Sequence, residues 1–96
     1  MRWTWDSNKA RANKRKHGLS FETVQLVFDD PLAISQLDPI SAEERWQTVG
    51  LVGHVALFVV HTWPDKRSPD GEEVGRIISA RKATRHERRA YEEGRF

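Results

Sequence analysis

The stretch "RIISARKATRHERRAYEE", residues 76–93, decides how the rest of the chain is read. It opens with Ile77 and Ile78, a β-branched pair that suits a strand, and passes within a few residues into a helical pattern. Thr84 followed three residues later by Glu87 forms a T-x-x-E capping box, so the helix opens at Thr84 and the strand ends near Lys82. The same end of the chain carries seven basic residues: Arg76, Arg81, Lys82, Arg85, Arg88, Arg89 and Arg95. A core strand feeding straight into a charged helix fixes that charge at one edge of the fold.

Upstream, "EVGRIISARK" returns from "WPDKRSPDGEE", residues 63–73, whose two prolines, glycine and mixed charge predict a long, mobile hairpin loop. In the returning strand, side chains alternate with period two. Arg76, Ile78, Ala80 and Lys82 therefore point one way and Ile77, Ser79 and Arg81 the other, so Arg76 and Arg81 share a face only if twist or a bulge intervenes. "HVALFVVHT", residues 54–62, is almost continuously apolar, which predicts a strand buried on both faces. "LAISQL" and "RWQTVGLV" predict two strands before it, with Gly53 at the tight turn.

At the other end, "WTW" reads as a short strand, and Asp6 or Ser7 caps a helix running to about His17, where Gly18 stops it. Ala10 and Ala12 are that helix's only apolar residues. Packing does not explain its Lys9, Asn13 and Lys16, which lie about a turn apart on one side. A second helix follows, with Ser20 as cap, Leu19 and Val24 as a hydrophobic staple, and Phe21, Val24, Val27 and Phe28 as its apolar face. Pro31 ends it by forcing the preceding residue out of helical conformation. The expected fold is α+β: a small antiparallel sheet packed with two N-terminal helices and a C-terminal helix.

Residues 1–96 suffice for one domain and one modest core, and 38% hydrophobic residues with four tryptophans supply it. No apolar run reaches membrane-span length, the first residues lack the features of a signal peptide, and there is no cysteine, so a cytoplasmic protein without thiolate metal sites is expected. The net charge of +2 conceals an asymmetry: +5 over residues 1–20, −7 over 21–75 and +4 over 76–96. Two basic ends that met would form a surface suited to nucleic acid, with the face of Lys9, Asn13 and Lys16 expected beside the C-terminal helix. Solvated helices that merely aid solubility explain the charge equally well.

The ordered set W-D-x-x-K, N-x-x-K-H-G, S-F, F-D-D-P, E-R, I-S-A-R and E-R-x-x-Y-E, spread over nearly the whole chain, resembles the BrnT toxins of bacterial type II toxin–antitoxin systems. The resemblance implies a RelE-like fold, a ribonuclease that halts translation, and neutralisation by a BrnA-type antitoxin. That antitoxin carries a ribbon-helix-helix DNA-binding domain, which implies a 2:2 assembly that meets operator DNA only through the antitoxin. The segment from Pro64 to Glu73 departs from the family in length and acidity.

Cleaving RNA without a metal requires a base for the 2′-hydroxyl, a cation for the phosphorane-like transition state and an acid for the leaving 5′-oxygen. Arginine suits the second role because its planar fork matches phosphate oxygens. Arg81 and Arg76 are the first candidates, Arg81 preferred, with Arg45 behind them. His61 is the histidine placed for proton transfer, although a histidine at a strand end is more often structural. Glu44 could act as base or hold an arginine, and an edge ion pair is the simpler account. Tyr91 could donate a proton, stack on a base or pack its helix on the sheet. Lys9, Lys16, Lys82, Arg85, Arg88 and Arg89 are expected to bind RNA, and no cofactor or metal is expected, because His54 and His86 lack partners at ligand spacing. His17 reads as a helix-terminal residue. Trp3, Trp5 and Trp46 read as core or antitoxin-interface residues. The competing reading is a catalytically inactive module that only pairs with antitoxin and acts in operon autoregulation.

Overall fold

A computed structural model describes residues 1–63 and 71–96; most of the expected 64–73 loop lies outside the described residues. Five strands, β1 (Arg2–Trp5), β2 (Ile34–Leu37), β3 (Trp46–Val52), β4 (Val55–His61) and β5 (Val74–Lys82), form one sheet in the order β1-β5-β4-β3-β2. Three helices accompany it: α1 (Ser7–His17), α2 (Phe21–Val24), which tightens into a 3-10 turn over Gln25–Asp29, and α3 (Arg85–Glu93). The architecture is mixed α+β.

The sheet is not wholly antiparallel. β1 runs parallel to β5, pairing Trp3 with Gly75 and Trp5 with Ile77. Parallel neighbours need a long crossover, and here everything from α1 to β4 supplies it. Gly75 admits this arrangement because the Trp3 ring lies where a β-carbon would project.

Local signals act as their chemistry dictates. Asp6 caps α1 by accepting from the Lys9 amide, and Gly18 ends it in the left-handed conformation at φ 72°. Ser20 caps α2, and Thr84 and Glu87 form the full capping box of α3. Asp30, ahead of Pro31, is extended, and the helix before it tightens into its 3-10 turn instead of continuing as one α-helix.

The register assigns each side chain to a face. Leu57, Val59 and His61 of β4 share one face with Ile77 and Ala80, and there Phe21, Val24 and Val27 close the principal core. Gly50 permits that contact, since an added β-carbon would meet Val27 Cγ2 at 2.8 Å. On the opposite face Val49, Ala56 and Phe58, with Ile34 and Leu51, receive Tyr91 of α3. β4 is thus the central strand, with core on both sides, as its apolar run predicts.

Candidate functional site

β5 carries one residue too many for its partner. Val60 opposes Ser79 and His61 opposes Ile77, so Ile78 is extra and the ladder bulges there. Strict alternation would separate Arg76 from Arg81. The bulge cancels one step: Arg76, Ser79 and Arg81 all lie on the face away from α2, with Arg81 opposite Phe58. Among the described residues α3 packs at the Val49–Phe58 end of this face. Gln36, Gln47, Val60 and Ser79 remain half-buried and Arg76 exposed, so a strip of the sheet faces solvent.

Each arginine of the strip has a carboxylate partner. Arg81 donates to Glu87 through Nη1–Oε1 at 2.8 Å and Nη2–Oε2 at 3.0 Å, while its guanidinium sits 4.2 Å from the centre of the Phe58 ring. Glu87 also accepts from the Thr84 amide at 2.8 Å, so one carboxylate caps α3 and orients the arginine. Burial opposes the ionised form of Glu87, but the bonds from Arg81 and Thr84 prevail and its pKa is lowered. The bond to Glu87 raises that of Arg81 against the effect of burial. Arg76 Nη2 donates to Glu43 Oε1 at 2.8 Å, and Arg45 Nε lies 4.0 Å from the same oxygen. The carboxylate gathered here is Glu43, whereas the expected Glu44 is exposed just beyond it.

Three expected residues sit differently. His61 is 0% exposed, on the core face opposite the arginines. Its Nδ1 meets the Thr62 carbonyl at 3.0 Å and so carries the proton, leaving Nε2 to accept from the Thr48 hydroxyl at 2.6 Å. Burial pushes its pKa down to about 4 despite the Thr62 bond. Ringed by Trp3, Phe28 and Trp63, it is a neutral core residue with no surface for a substrate. Tyr91 donates to Asp30 Oδ2 at 2.6 Å, and this bond, with burial, pushes its pKa up to about 12. Asp30, which also accepts from the Leu51 and Leu32 amides, is an anchor that the sequence marks only as part of F-D-D-P. Lys82 pairs with Leu57, which puts it on the core-face side of the strand end, away from Arg81.

The expected basic residues divide into two groups. Lys9 and Lys16 line a cleft between α1 and β5, whereas Arg85 and Arg89, with His86, line a separate depression along α3. Arg88 donates to the Ala83 carbonyl at 3.0 Å. α1 packs chiefly on β5 and α3 on β3, and Asn13 points inward, so the single surface expected from Lys9, Asn13, Lys16 and α3 is not how these side chains are arranged.

Among the described residues no group of three or more histidine, aspartate or glutamate side chains is placed to hold a metal ion, and no helix is long and apolar enough to cross a membrane. The chain is thus a basic α+β domain that carries Arg76 and Arg81 on one face of its sheet. The family model described as ribonuclease toxin, BrnT, of type II toxin-antitoxin system matches residues 5–87, and the chain belongs to that family. It is therefore a ribonuclease toxin of a type II system, with a protein antitoxin as partner. No curated protein matches the chain.

Proposed function

We propose that the chain is a metal-independent endoribonuclease of RelE-like arrangement that inhibits translation and is neutralised by a BrnA-type ribbon-helix-helix antitoxin in a 2:2 complex. The observation that carries this reading is the bulge at Ile78, which gives Arg76 and Arg81 one open face. RNA laid across that face presents its scissile phosphate to both guanidiniums. In the step proposed, the 2′-hydroxyl loses its proton to a carboxylate and the 2′-oxygen bonds to phosphorus. The bond from phosphorus to the 5′-oxygen breaks, and that oxygen takes a proton from water, whose hydroxide is neutralised by the proton the carboxylate accepted.

Arg81 and Arg76 stabilise the charge on the phosphorane, with Arg45 beside Arg76. Glu43, which already orients Arg76, takes the carboxylate role in place of Glu44. His61 has no part in the chemistry. Lys9, Lys16, Arg85 and Arg89 hold flanking phosphates. The deciding experiment is incubation of purified protein with RNA in EDTA: products ending in a 2′,3′-cyclic phosphate and a 5′-hydroxyl are expected, and loss of cleavage in EDTA would reject metal independence.

A second reading, a catalytically silent module that binds antitoxin and autoregulates its operon, draws on one observation. Both leading arginines are neutralised by the protein's own carboxylates, Glu87 and Glu43. Tight antitoxin binding without cleavage of any RNA would favour it.

A further inference from the structure

β1 ends at Trp5, opposite Ile77, and among the described residues the next stretch of β5 has no strand on that side. α1 takes the place of a strand there. Asn13, 7% exposed, accepts from the Ala80 amide at 3.0 Å and donates to the Leu19 carbonyl at 3.4 Å, which pins the helix against the sheet edge. A helix face turned toward a sheet is ordinarily apolar. Here the residues a turn to either side of the anchor are Lys9 and Lys16, and they line an open cleft of about 240 Å³ with His17, Ile78 and Ser79.

Among the described residues no carboxylate lines this cleft. Lys9 and Lys16 are both exposed at its rim, beside the half-buried His17, so the cleft presents solvated positive charge to an anionic occupant at a helix–sheet junction. Ser79, in the cleft wall, also lies between Arg76 and Arg81 on the open face, so this one residue borders both the cleft and the arginine strip. The spacing of Lys9, Asn13 and Lys16 thereby acquires a reason: Asn13 attaches the helix and the lysines flank the opening.

Resting on the ribonuclease reading, we propose that the α1–β5 cleft is a subsite for a backbone phosphate of single-stranded RNA, held by Lys9, Lys16, His17 and Ser79 next to the phosphate that the arginines engage. RNA then crosses the sheet edge at the bulge, and the direction of the strand over Arg76 and Arg81 is set by α1.

The test is equilibrium binding of a short 2′-O-methyl oligoribonucleotide, which lacks the attacking hydroxyl, across a range of salt concentrations. Wild type is compared with Lys9→Gln/Lys16→Gln and with Arg11→Gln/Arg15→Gln, which removes equal charge from the opposite side of α1, and circular dichroism verifies folding. For one phosphate released, the slope of log affinity against log salt should fall by about 0.7 in the cleft variant and distinctly less in the control. Affinity at low salt should fall on the order of 10-fold in the cleft variant alone. Equal effects in the two variants, no effect in either, or no binding by wild type overturns the subsite. Loss of antitoxin binding with RNA binding intact also overturns it and assigns the cleft to the antitoxin. Because the probe cannot be cleaved, a protein that fails to cut RNA but shows the slope change retains the subsite and loses only the ribonuclease reading.

Discussion

Arg81 and Glu87 meet through two parallel hydrogen bonds, and the same carboxylate accepts the amide that opens α3. The arginine's direction and the helix's start are thus one structural unit. Glu87→Gln keeps the size of the side chain and removes its charge. Loss of the charge-assisted bonds should cost about 1–3 kcal/mol of stability, measured by urea unfolding. The lowered pKa of Glu87 also means that its contribution is present above the ordinary carboxylate range and is lost as pH falls through the folded value, so wild type and variant should converge in acid. A constant difference at all pH values would show that the ion pair contributes nothing.

His61 should govern stability in a different window. Its folded pKa of about 4 lies below the ordinary 6.5, so between these values the unfolded chain binds the proton and the folded one does not. Stability is full above pH 6.5 and declines as pH falls toward 4, by about 3 kcal/mol in total. His61→Asn should be less stable at neutral pH yet flat across this window. Unfolding curves for both proteins at several pH values measure it; an undiminished slope in the variant would place the titrating group elsewhere.

Tyr91→Phe removes the hydroxyl that holds Asp30 while leaving the ring in its core contacts. Stability should fall by about 1–2 kcal/mol and single-turnover cleavage should stay within a few-fold of wild type. A drop on the order of 100-fold in a folded variant would make Tyr91 a participant in the chemistry.

Much of this fold was legible because its signals are local. The Thr84–Glu87 box, Gly18 at the end of α1, Ser20 at the start of α2 and the apolar run of β4 each act within a few residues of themselves. What escaped depends on distant pairing. The parallel β1 joins segments some seventy residues apart, as Thr4 Oγ1 donating to the Gly75 carbonyl illustrates with a separation of 71. The bulge at Ile78 exists only in the register of β5 against Val60 and His61, and it changes the face on which Arg76 falls relative to Arg81. Neighbours such as Glu43 and Glu44 are equivalent in sequence until Arg76 is placed beside one of them. Asn13 was visible as an oddity on α1, but its partner, the Ala80 amide, lies 67 residues away. His61 had the right residue type at a strand end, and only the aromatic rings around it reveal that it belongs to the core.

In the proposed reaction Arg76 and Arg81 act together on the scissile phosphate. Single-turnover RNA cleavage at saturating enzyme, for Arg76→Lys, Arg81→Lys and the double variant with folding verified by circular dichroism, decides whether they do. Lysine keeps the charge and loses the bidentate fork, so each single variant should slow cleavage on the order of 100-fold. Two arginines sharing one phosphate should also be non-additive, with the double variant slower than either single by much less than the product of the two effects. Near-wild-type cleavage by both folded lysine variants would contradict the account and reduce the arginine strip to an electrostatic anchor for RNA.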